Sequence, residues 1–139
     1  MNFEEQGESL WEMFNECFAY LPLACLIGKT ILAMHGGLSE ELHSLDDIRK
    51  IPRPLLDPND NKLATDLLWS DPMIDLKGFI PNEVRGASVN FGENVVHETL
   101  QKLGLTLIIR AHQVYGAEVF RGKHDNDNKE HPGYLKKMP

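Results

Sequence analysis

The stretch "TILAMHGGLS", residues 30–39, decides how this chain folds. Thr30 to Met34 is an apolar, partly β-branched run, the composition of a buried strand. It stops at His35, Gly36 and Gly37, where the chain leaves the strand. Just upstream, "LACLI" (23–27) is a second apolar run, and Gly28-Lys29 joins the two. That junction predicts a tight hairpin, because glycine tolerates the positive φ such turns need. Strands are therefore expected at 23–27 and 30–34. His35, at the mouth of the second, has two readings: a metal ligand at the lip of a site, or a polar residue where the chain turns.

"LTLIIRAH" (105–112) repeats the arrangement, with a strand expected over 105–110 and His112 just beyond it. If the two strands share or face across a sheet, both imidazoles emerge at one rim, and ligands favour strand ends. A divalent ion takes neutral imidazole nitrogens, so His35 and His112 together are a candidate metal site. Taken singly, each is better explained by a structural role; as a matched pair the two readings are level. Between them, "GENVVHETLQKLG" sets Val95, Val96, Thr99, Leu100 and Leu103 on one face of a helix expected over 93–103, with Gly104 as its stop.

Toward the N-terminus, Leu10, Trp11, Phe14, Cys17, Phe18 and Leu21 have a helical period, and a helix is expected over 10–21. Ser9 and Glu12 stand at capping-box spacing and Pro22 ends the pattern. "SLDDIRKI" (44–51) predicts a short helix capped by Ser44, with Asp46 and Asp47 in its first turn. A proline-rich connection follows (52–61), then "TDLLWSDP", which carries Trp69 toward a turn at Asp71-Pro72. "AEVF" (117–120) predicts one more strand. The fold class expected is mixed α/β (α+β).

At 139 residues and 42% hydrophobic, the chain suits one domain or one piece of a larger one. Its 14 basic and 21 acidic side chains give a net charge of −7, which argues against a nucleic-acid-binding face. No run approaches the roughly 20 apolar residues of a membrane span. The acidic start is unlike a signal peptide, so an intracellular protein is expected, cytoplasmic or nuclear. Cys17 and Cys25 lack the spacing of a zinc site or a disulfide framework and read as buried free thiols. From residue 121 apolar content nearly vanishes and the stretch reads as a disordered tail. His124, Asp125 and Asp127 lie in it, where nothing preorganises metal ligands.

"NEVRGASVNFG" places Arg85 in a polar loop. A guanidinium fork matches two phosphate oxygens, as a lysine does not. A solvated surface arginine is the alternative. The loop lacks the Gly-Lys-Ser/Thr ending of a phosphate-cradling loop.

Taken in order and spacing, "HGGLS", "DLLWSDP", "VRG…FG" and "RAHQV" resemble the phosphoprotein phosphatase family of metal-dependent serine/threonine phosphatases, with most likeness to its protein phosphatase 1 branch. The resemblance runs from Trp11 to Phe120, and "WEMFNECFAYLPLACLI" looks like the helix and strand that precede the family's "HGG". It implies part of the family's central β-sandwich with helices packed outside. By position His35 and His112 match two ligands of one metal in a dinuclear pair, Arg85 the arginine that grips the substrate phosphate, and Asp71 a supporting residue. The ions implied are manganese, or iron with zinc. Held about 3.5–4 Å apart, they would clamp the phosphate and activate a bridging water. Phosphoproteins are the implied substrates. Ile31 and Leu107 resemble part of the surface where regulatory subunits dock short hydrophobic motifs.

The departures are equally informative. The family completes its metal site with "GDxHG", "GDxxDRG" and "GNHE" motifs, yet this sequence has no Gly-Asp and no Asn-His dipeptide. The family's "SAPNY" segment is also absent, and "RGKHDNDNKEHPGY" does not replace it. Residues 1–120 are therefore expected to form part of a phosphatase domain, resembling its C-terminal half, that holds only part of one metal site; 121–139 is a divergent tail. The expected function is hydrolysis of phosphoserine and phosphothreonine by a longer parent. The alternatives are a non-catalytic remnant that binds partners, and an unrelated α/β protein with a mononuclear site.

Overall fold

The computed structural model describes the backbone of residues 3–113 and 118–121 and the side chains of 6–113. Its elements run α1 (Phe3–Ala19), β1 (Ala24–Ile27), β2 (Ile31–Met34), α2 (Leu45–Arg49), a 3-10 turn (Pro58–Asp60), α3 (Lys62–Trp69), β3 (Asp71–Pro72), β4 (Phe79–Pro81), β5 (Val89–Phe91), α4 (Glu93–Leu103), β6 (Leu107–Arg110) and β7 (Glu118–Arg121).

The hairpin at Gly28-Lys29 forms as the sequence predicts. Both residues have positive φ, 57° and 68°, which matches the twist of the strands it joins. β1 and β2 pair antiparallel across it, with Leu26 opposite Leu32. β2 then pairs parallel with β6, Leu32 opposite Ile108, and β7 closes the order β1-β2-β6-β7. The register decides the rest. Leu32 and Ile108 point the same way into the core, and so do Met34 and Arg110 one pleat further on. The candidate histidines therefore follow the carboxyl ends of adjacent parallel strands in one sheet.

Against that face pack Leu63, Ala64 and Leu67 of α3, Val95, Val96 and Leu100 of α4, and Phe91 of β5. Helix α4 ends where expected, with Gly104 in the left-handed conformation at φ 65°. Ser44 and Asp47 form the capping box of α2.

Four expectations are corrected. α1 begins at Phe3, so Ser9 and Glu12 lie inside it rather than at its start; the acidic segment ahead of Ser9 continues the helix. Its described apolar face does not pack: residues 6–18 are exposed, while Ala19 at its end is buried and its carbonyl accepts from Leu55 N–H at 2.9 Å. Cys17 and Cys25 are exposed rather than buried, the first on that unpacked helix and the second on the outer face of edge strand β1. Asp71-Pro72 is a short strand rather than a turn, pairing with Asn90 and Phe91 in a second sheet of order β3-β5-β4. The tail beyond Arg121, with His124, Asp125 and Asp127, lies outside the described residues.

Candidate functional site

The two sheets meet their loops at one rim. β2 delivers His35 and β6 delivers His112, and the ladder between them persists one step, Ala111 N–H donating to the His35 carbonyl at 3.1 Å. The chain turns sharply after His35. Gly36 N–H donates to the Leu67 carbonyl at 2.8 Å, and a Cβ on Gly36 would stand 2.5 Å from the Leu68 backbone. A Cβ on Gly37 would meet the Phe91 ring and Ser70 Oγ. Two glycines are needed because the chain runs flush against the α3 backbone at Gly36 and against the Phe91 ring at Gly37.

His112 Nδ1 stands 2.9 Å from His35 Nε2, with the rings edge to face. The Trp69 ring also stands edge to face with His112, centroids 5.5 Å apart. His112 itself has φ 64°, a left-handed conformation rare for a residue with a side chain. Burial and the nearby Arg85 guanidinium hold its imidazole below the ordinary histidine range, which favours the neutral form. Two ring nitrogens facing at that distance need a proton or a cation between them. The gap is within the span of two bonds of about 2.0–2.1 Å to one ion, so the pair fits a shared metal. Among the described residues no group of three or more histidine, cysteine, aspartate or glutamate side chains is gathered to hold one.

Arg85 reaches the same rim from the loop between β4 and β5. Its Nε donates to Asp71 Oδ2 at 2.5 Å, and Nη2 bridges Asp71 Oδ1 at 3.4 Å and the His112 carbonyl at 3.3 Å. Nη1 is left without a partner among the described residues. The fork is thus partly engaged: Nε and Nη2 are held by Asp71 and the His112 carbonyl, and the side chain stays a quarter exposed.

Asp71 is the hinge of this arrangement. Besides Arg85 it accepts from Arg110 Nη2 at 2.8 Å and Asn82 Nδ2 at 3.1 Å. Burial alone would raise its carboxyl; the hydrogen bonds from Arg85, Arg110 and Asn82 outweigh that and hold it below the usual aspartate value. Sequence reading missed Arg110, whose side chain is fully buried on the core face of β6. It donates to the Gly36 carbonyl at 2.6 Å, the Ser70 carbonyl at 3.2 Å and Gln113 Oε1 at 2.6 Å. Parity was the available signal: Arg110 has the same strand parity as Ile108, so it points inward.

Comparison with known proteins identifies the family. The model of the calcineurin-like phosphoesterases matches residues 2–116. The chain belongs to this family. It is 48% identical over 119 residues to the Caenorhabditis elegans protein C06A1.3, named as a serine/threonine-protein phosphatase, covering 84% of this chain and 32% of that one. It is 46% identical over 124 residues to the C. elegans serine/threonine-protein phosphatase PP1-delta, covering 88% and 40%. Among solved structures, a serine/threonine phosphatase from Saccharomyces cerevisiae with similarity to human phosphatase PP5 superposes with TM-score 0.68 at 34% identity, covering 78% of this chain and 33% of that one. The phosphoesterase fold and the likeness to phosphoprotein phosphatases are therefore shown, and this chain spans about a third of the length of those relatives.

Proposed function

We propose that this phosphoesterase chain contributes the phosphate-binding arginine and two ligands of one metal to a dinuclear serine/threonine phosphatase centre. The single observation that carries this is the convergence of His35 Nε2, His112 Nδ1 and Arg85 at the carboxyl ends of β2 and β6. His35 and His112 would hold one ion through those nitrogens; manganese, or iron with zinc, suits imidazole donors. A bound metal pair supplies Lewis acidity toward a phosphoryl oxygen and a nucleophilic water at neutral pH.

The chain's own residues do the rest. Arg85 presents Nη1 to a phosphate oxygen while Asp71 fixes the opposite edge, so binding costs little side-chain freedom. Arg110 holds the Gly36 carbonyl and Asp71 together, which keeps the turn after His35 in register with the arginine. Substrates are phosphoserine and phosphothreonine in proteins. Ile31 and Leu107, register partners on β2 and β6, offer an apolar place for a short hydrophobic motif of a regulatory subunit. The site is intracellular, cytoplasmic or nuclear.

Two ligands are half a shell for one ion and none for a second, and fixed ligand sets gain affinity by being held together. The purified 139-residue chain with manganese and a phosphopeptide is expected to show negligible hydrolysis. Addition of a polypeptide carrying the "GDxHG", "GDxxDRG" and "GNHE" motifs should produce it, and Arg85→Ala should suppress it again. Robust hydrolysis by the chain alone, abolished by His112→Ala, would overturn the partial site. A chain whose histidine rings ignore manganese and whose complemented form stays inert would favour the second reading, a partner-binding remnant. That reading has one observation of its own: Leu10, Trp11, Phe14 and Phe18 of α1 are all more than half exposed.

A further inference from the structure

Asp66, on α3, is 1% exposed and takes no part in the site described above. Its two carboxylate oxygens are spent on two different loops. Oδ2 accepts from Ser39 Oγ at 2.6 Å, four residues beyond His35. Oδ1 accepts from Ser88 Oγ at 2.7 Å, three residues beyond Arg85. Lys62 Nζ, one turn back on the same helix, neutralises the charge through Oδ2 at 2.8 Å.

Packing does not explain the residue. α3 already buries Leu63, Ala64 and Leu67, and an apolar side chain of similar volume would fill the place without the cost of desolvating a carboxylate. What a buried carboxylate adds is direction. Its hydrogen bonds are charge-assisted and act in a low dielectric, so each hydroxyl is held at one position. The Arg85 loop transmits that constraint. Asn82 N–H closes it on the Ser88 carbonyl at 3.1 Å, and Ser88 sits at φ 64°, a conformation that needs local support. On the other side Ser39 follows the fully buried Leu38, so its hydroxyl fixes where the "HGGLS" turn lies on α3.

We infer that Asp66 is a positioning residue: it ties the loops of His35 and Arg85 to one rigid helix and so sets their mutual placement. The inference rests on the function proposed above, deepening it by naming what holds the two halves of the site together.

The test uses the whole chain and two probes that report separately. The first is the exchange rate of the Arg85 Nε proton, which Asp71 protects. The second is broadening of the His35 and His112 ring signals by added Mn²⁺. Ser88→Ala should speed Arg85 exchange about tenfold, the factor for one hydrogen bond to a charged group, and leave the rings unchanged. Ser39→Ala should weaken Mn²⁺ broadening by a similar factor and leave Arg85 unchanged. Asp66→Asn should move both. A purely structural role would lower the melting temperature of every variant without either residue-specific change. If folded Asp66→Asn keeps either probe at its wild-type value, the inference is overturned. Should that variant fail to fold, the serine variants decide, and a serine variant that leaves its own probe unmoved overturns it. Failure of the phosphatase reading looks different: Mn²⁺ would leave the wild-type rings sharp. The clamp would then be read from Arg85 exchange and the contact between the two imidazoles.

Discussion

Helices α4 and α1 carry similar amphipathic patterns and meet opposite fates. α4 lays Val95, Val96 and Leu100 onto the core face of the four-stranded sheet. α1 leaves Leu10, Trp11, Phe14 and Phe18 more than half in solvent, and among its described side chains Ala19 alone is buried. The periodicity of a helix fixes which side is apolar. Whether that side is covered depends on tertiary neighbours, and those are a property of the whole fold.

The contrast can be broken most forcefully in α4. Leu100→Ala should lower stability by about 2–5 kcal/mol, measured by urea unfolding, because Leu100 is buried in the core cluster and its loss leaves a cavity there. An effect under about 1 kcal/mol would mean that α4 is no better packed than α1. Next in size is the turn that the core supports. Gly36→Ala has no room beside Leu68 and should cost about 1–3 kcal/mol; the same variant should disturb the His35 ring signals.

Acid should sharpen the comparison further. The folded carboxyl of Asp71 is held below its unfolded value of 3.8, so the unfolded state binds the proton more readily. Its contribution is fully present above that value and is lost as pH falls through the depressed folded one. Asp71→Asn should flatten the fall of stability below pH 3.8, while substitutions in α1 leave that slope unchanged. The smallest effect belongs to α1 itself. Phe14→Ser should change stability by no more than about 0.5 kcal/mol, and a loss near that of Leu100→Ala would show that the helix is packed after all.

What was legible in the sequence follows the same division. Strand β2, its hairpin, α4 and β6 are local patterns reinforced by burial, and they stand within a residue or two of expectation. That His35 and His112 come together was legible because both follow strand ends, whereas Arg85, in a polar loop, was marked by its guanidinium and the family motif. The second sheet was not, since its strands are two or three residues long and "DP" carries no strand signal. Asp66 was invisible, and Arg110 signalled only by its strand parity, for a related reason. Charged residues are read as solvated, and only the tertiary fold shows that Ser39, Ser88 and Asp71 converge on them.

The left-handed backbone at His112 has a practical consequence for anyone substituting that position. Alanine there removes the imidazole and also places a poorly suited residue at φ 64°, a conformational penalty of about 1–2 kcal/mol. Two changes then travel under one name. Asparagine visits that region more readily, so it deletes the ring nitrogen while leaving the main chain, and the carbonyl that faces Arg85, where they were. The difference between the two variants measures the backbone's share of the phenotype, leaving the asparagine result as the cleaner report on the missing imidazole.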